Sequence, residues 1–98
     1  MRFRFASQKL KVLYTTSKGV QKYPSGVGDA FFEVMTIIAA APDERDLRAL
    51  KSLHFEKLSG GRRGQHSVRL NKQFRLTFEF DEDQHGKLLL ILAIEDYH

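Results

Sequence analysis

A chain of 98 residues, 42% hydrophobic and 29% charged with eight Phe, has the size and composition of one globular domain, expected to span residues 1–98. Cys is absent, which excludes disulfide scaffolds, thiol nucleophiles and Cys-ligated zinc and makes a reducing cytoplasm the expected compartment. The formal charge of +4 is unevenly spread, with six basic and no acidic side chains in residues 1–24 and seven basic against two acidic in residues 51–80. Residues 25–50 and 81–98 are net acidic. Two basic segments can form one face attractive to a polyanion, and a solvated mixed surface fits the same charges equally well. No apolar run approaches the ~18 residues of a membrane span, and the opening Met-Arg-Phe-Arg-Phe is not followed by the apolar stretch of a secretory leader.

Along the chain, Arg2 and Arg4 alternate with Phe3 and Phe5, the pattern of a short strand. Ser7 suits the cap of a helix whose apolar positions are Leu10, Leu13 and Tyr14. Loop chemistry follows at Lys18-Gly19 and at Tyr23-Pro24-Ser25-Gly26. Val27, Ala30, Phe31, Val34, Ile37, Ile38 and Ala41 recur at three- and four-residue spacing and predict the main helix, ended by Pro42. Asp43 then caps a short helix through Leu47 and Leu50.

From Leu53 the period becomes two, weakly over residues 53–58 and clearly after a basic, glycine-rich connection at residues 59–64. In Gln65–Leu70, His66, Val68 and Leu70 share one face and Gln65, Ser67 and Arg69 the other. In Phe74–Phe80 the four even-numbered residues are apolar, against Arg75, Thr77 and Glu79. The loop Asn71-Lys72-Gln73 joins these runs into a hairpin, and a second hairpin turns within residues 81–86. Leu88–Ile94 is apolar throughout, as in a central strand covered on both faces. The predicted fold is α+β: an antiparallel curved sheet of four to five strands with two to three N-terminal helices packed on one face.

The three-residue loop sets Leu70 against Phe74 and therefore Arg69 against Arg75, on the face away from the helices. Like charges directly opposite destabilise a sheet, so a pair that binds an anion is one reading. Arginine forks suit phosphate. Splaying into water, or pairing with Glu79 or Glu95, is the other. Of the histidines, His85 falls in a turn, His54 and His66 suit partly buried positions, and His98 follows Glu95-Asp96-Tyr97 directly after the apolar strand. A carboxylate, a phenol and an imidazole thus gather where the sheet ends. No zinc-ligand spacing, phosphate loop, dinucleotide motif or nucleophile elbow is present, so neither a metal nor a cofactor is expected.

Leu58-Ser59-Gly60-Gly61-Arg62-Arg63-Gly64, followed by Ser67-Val68-Arg69-Leu70-Asn71-Lys72-Gln73-Phe74-Arg75-Leu76-Thr77-Phe78, resembles the HigB branch of the RelE-type toxins, as does the ending Asp96-Tyr97-His98. The resemblance implies a type II toxin with a RelE-like fold: a metal-independent endoribonuclease that enters the ribosomal A site and cleaves mRNA. It also implies a HigA-like helix-turn-helix antitoxin as partner, through which alone operator DNA is reached. Carried over by position, Arg75 is the phosphate-stabilising arginine, and Asp96, Tyr97 and His98 form the acid/base tail. Lys57, Arg62, Arg63, His66 and Arg69 are RNA contacts, with His54 and Glu56 as possible additions. Ser59 and Gly61 stand where relatives commonly have Lys and Asp. A catalytically weak relative that binds RNA or the ribosome, or only pairs with an antitoxin, is the alternative.

Overall fold

The computed structural model describes residues 1–97. Strand β1 (Phe3–Phe5) leads into helix α1 (Gln8–Thr16), a 3₁₀ turn at Val20–Lys22, helix α2 (Val27–Ala40), helix α3 (Glu44–Ala49) and a second 3₁₀ turn at Lys51–Leu53. Strands β2 (Glu56–Lys57), β3 (Gln65–Arg69), β4 (Phe74–Asp83) and β5 (Gly86–Asp96) follow, and the sheet order is β1-β5-β4-β3-β2. The β1–β5 pair is parallel and the others are antiparallel. This is the α+β architecture expected, with β5 central between β1 and β4.

Local chemistry explains the helix ends. The Ser7 hydroxyl accepts from the Leu10 N–H at 3.3 Å, and Asp43 and Asp46 form a reciprocal capping box at the start of α3. The predicted apolar stripe of α2 is buried at Val27, Phe31, Val34 and Ile38, with Met35 added. Phe31, Val34, Met35 and Ile38 meet Leu10 and Leu13 of α1 above Val68, Leu76, Phe78, Leu89 and Ile91 of the sheet. The apolar faces so removed from water supply the main drive to fold.

Two expectations are corrected. The weak alternation at residues 53–58 is mostly not strand: Lys51–Leu53 is a 3₁₀ turn and His54 takes a left-handed φ of 46°, leaving β2 two residues long. The second hairpin is tighter than residues 81–86 suggested. Strand β4 pairs on to Asp83, opposite Gly86, whose φ of 105° only glycine adopts without strain.

The register of β5 contains the feature on which the site depends. Phe78 pairs with Ile91 but Thr77 pairs with Ala93, so Leu92 is an extra, unpaired residue: a β-bulge. Below it, Leu89 and Ile91 face the helices. Past it the parity reverses, and Ala93 and Glu95 stand opposite Thr77 and Arg75 on the other face. Without the bulge the Glu95 carboxylate would point into the core.

Candidate active site

The β3–β4 hairpin has the register predicted: Val68 pairs with Leu76, Ser67 with Thr77 and Arg69 with Arg75. The face away from the helices is nevertheless not open around Arg75. That residue is 4% exposed, and Ser67 and Thr77 beside it are buried too. The segment from His54 to Lys57 and the chain end cover it. Arg75 Nε donates to Ser67 Oγ at 2.6 Å, and its NH2 donates to the His54 carbonyl. Glu56 Oε2 lies 3.7 Å from NH2, and the Tyr97 ring lies over the guanidinium with its centroid 5.2 Å from Cζ. Burial pulls the guanidinium below the ordinary arginine value, with the Glu56 carboxylate opposing that shift. The arginine pair therefore avoids repulsion by neither expected route. Arg75 turns to Glu56 and not to Glu79 or Glu95, while exposed Arg69 reaches out to His54 Nε2 at 3.3 Å.

Glu56 joins two parts of the site, since Tyr97 Oη donates to its Oε2 at 3.3 Å. The chain end is held by the Tyr97 N–H on the Gln73 carbonyl at 2.7 Å and by Gln73 Nε2 on Asp96 Oδ2 at 3.0 Å. Beside it, Arg62 grips Glu95 with two bonds of 2.7 and 2.5 Å, and Thr77 Oγ1 donates to the same carboxylate at 2.7 Å. Arg62's fork, backed by Thr77, holds the Glu95 carboxyl below the usual carboxylate range against the effect of burial. The same arginine donates to Gln65 Oε1 at 2.9 Å, which ties the glycine-rich connection to the sheet.

Arg75, Glu56, Tyr97, His54 and Arg69 are thus brought together, whereas Asp96 stands opposite Phe74 at the edge of the cluster and is held by Gln73. His98 lies outside the described residues. Arg62 borders the cluster but is occupied by Glu95, and Arg63 is exposed on the connection beside it. His66 and Lys57, expected RNA contacts, are not brought to this cluster: His66 is buried on the helix side and Lys57, exposed, is on that side with it. They pair with each other across β2 and β3, and His66 pairs with core-facing Phe78. The His66 ring, 8% exposed, packs among Phe55, Phe78 and Phe80, with the closest centroid at 4.9 Å. The physical reason is strand parity, which the sequence already displayed by placing His66 with Val68 and Leu70. Ser67, Thr77 and Glu95 are supporting residues that the resemblance did not supply, although alternation had put Ser67 and Thr77 on the face of Arg75.

Chemically, the cluster offers a positioned cation for a phosphate, a carboxylate at Glu56 for proton transfer with Asp96 at its edge, and a phenol able to stack or donate. The family model described as HigB-like toxin, RelE-like toxin of type II toxin–antitoxin system HigB, matches residues 3–97. Toxin HigB-1 of Vibrio cholerae serotype O1 is 36% identical over 80 residues, covering 82% of this chain and 84% of that protein. Among solved structures, a mutant of YafQ from E. coli aligns with a TM-score of 0.65 at 12% identity over 98% of this chain and 93% of that one. A YoeB/ParE toxin from Agrobacterium tumefaciens aligns over the whole of both chains with a TM-score of 0.59 at 13% identity. Those two likenesses show the fold alone. The match along nearly the full sequence, together with the HigB-1 relative, shows that the chain belongs to the HigB-like family of RelE-like toxins of type II toxin–antitoxin systems.

Proposed function

We propose that this toxin is a metal-independent endoribonuclease that cuts mRNA in the ribosomal A site and is restrained by a HigA-like antitoxin. The observation that carries the reading is Arg75: a buried arginine, locked by Ser67 and the His54 carbonyl, with a carboxylate and a phenol against it. Burial is costly for a cation, and a fold that maintains it gains a preorganised donor at low local dielectric, where charge stabilisation is strongest. Glu56 occupies the anion position in the free protein. A substrate phosphate takes that position as Glu56 and the half-exposed Tyr97 move aside.

In the proposed step the RNA 2′-oxygen loses its proton and attacks the adjacent phosphorus, and the bond to the 5′-oxygen breaks. The products are a 2′,3′-cyclic phosphate and a 5′-hydroxyl. Arg75 meets the charge growing on the non-bridging oxygens. A carboxylate, Glu56 or Asp96, takes the first proton, and the tail Asp96-Tyr97-His98 returns one to the leaving oxygen. Arg69 and Arg63, both exposed beside the site, hold flanking phosphates. The test is incubation with ribosomes programmed with a defined message, in excess chelator. Cleavage at the A-site codon with cyclic-phosphate ends supports the reading. An intact message with folded protein favours the weaker relative that only binds, and antitoxin pairing then becomes its principal activity.

A further inference from the structure

Arg75 ignores the carboxylate beside it and pairs with one farther away. Strand β5 sets Glu95 directly opposite Arg75 on the same face of the sheet. Glu56 stands on β2, with β3 between it and the strand of Arg75. Opposite charges facing each other on neighbouring strands attract, so Glu95 is the expected partner. The Arg75 guanidinium instead crosses β3, bonding Ser67 on the way, and meets Glu56 at 3.7 Å.

Glu95 is withheld by other groups. Arg62 NH1 and NH2 hold it at 2.7 and 2.5 Å, and Thr77 Oγ1 donates to it at 2.7 Å. Arg62 Nε donates to Gln65 Oε1 at 2.9 Å, so all three nitrogens of that guanidinium are engaged and no fork is left for a phosphate. Its backbone is fixed as well, since the Gln65 N–H donates to the Arg62 carbonyl at 3.0 Å.

We propose that Arg62 is a positioning residue: by capturing Glu95 it stops that carboxylate from closing on Arg75, and so keeps the Arg75 fork for substrate phosphate. Arg75 is left with a carboxylate that can be displaced. The Glu56 side chain is 47% exposed on a two-residue strand, whereas Glu95 is anchored in the eleven-residue β5. A phosphate competing for the fork displaces the first more readily than the second. The consequence for cleavage rests on the function proposed above. The choice of partner by Arg75 does not.

The first readout needs no substrate: the Nε–H signal of Arg75 in a proton–nitrogen correlation spectrum, which reports the bond to Ser67. In Arg62→Gln it is expected to shift as the guanidinium turns to Glu95. In the double variant Arg62→Gln, Glu95→Gln it is expected to return. The second readout is single-turnover cleavage on programmed ribosomes. Arg62→Gln is expected to cut at least about tenfold more slowly, and the added Glu95→Gln to bring the rate within about threefold of wild type. That double variant has the wild-type net charge. Its control is Arg62→Gln with Glu33→Gln, an exposed acid of α2, which is expected to stay slow.

Melting curves establish that each variant is folded. Should Arg62→Gln unfold, Arg62→Lys keeps the cation without the fork, and the same reversal by Glu95→Gln is expected. A Glu95→Gln double variant as slow as Arg62→Gln would make Arg62 an RNA contact and overturn the proposal. So would equal rescue by Glu33→Gln, or an Arg75 signal unmoved in Arg62→Gln. If wild type cuts nothing, the nuclease reading fails and the Arg75 signal alone decides the role of Arg62.

Discussion

Burial decides what each polar side chain here can do. Arg75 is enclosed and held by Ser67, the His54 carbonyl and Glu56, whereas Arg69 is exposed and adjustable. His66 is the opposite case, a titratable ring built into the core. Its Nδ1 has no hydrogen-bond partner among the described residues, and burial, reinforced by the nearby Arg48 charge, lowers its pKa. Since the unfolded chain keeps the ordinary value near ~6.5, it binds a proton that the native state resists. Stability is therefore complete above that pH and falls as the pH drops toward the lowered native value. Urea midpoints should decrease between about pH 7 and about pH 5, and the decrease should be much smaller in His66→Leu. An identical pH dependence in both proteins would place the titration on another group.

At the scale of elements, one bulge couples β5 to the site. Leu92 lets a strand whose odd-numbered residues pack in the core deliver Glu95 to Arg62 and Thr77. Deleting Leu92 forces either a register slip or a carboxylate into the helix-facing layer. The melting temperature should fall by more than about 10 °C, or the chain should not fold. A variant melting close to wild type would mean that pairing past the bulge is slack. The helices and the β3–β4 hairpin were legible because their signals are local: three- and four-residue spacing in α2, strict alternation on both sides of Asn71-Lys72-Gln73. Neither the bulge nor its consequence was. Leu88–Ile94 is apolar at every position, which carries no parity information. The contacts that bury Arg75 were equally silent, because Glu56 and Tyr97 come from a two-residue strand and a chain end. His66 shows the converse: alternation placed it with Val68 and Leu70, and it lies in the core.

The whole molecule separates its charges. Acidic side chains of the β4–β5 hairpin pair with Arg2 and Arg4, and Arg2 helps hold Asp83 down to about 2. The remaining cations divide between the Arg75 face and the helix-side lysines, so a sequence that reads as one basic protein folds into one with two basic surfaces. Both surfaces stand on the same helix-and-sheet core, so activity and stability are measured separately in every variant.

Single-turnover cleavage of mRNA on programmed ribosomes by wild type and Arg75→Lys, with both proteins shown to be folded under the assay conditions, tests whether Arg75 acts in the proposed chemistry. Lysine keeps the charge but not the planar fork that spans Ser67 and the His54 carbonyl. Wild type is expected to cleave at the A-site codon and the variant to do so about 10²–10³-fold more slowly. Cleavage at the wild-type rate by folded Arg75→Lys would make that arginine a structural residue with no part in the chemistry.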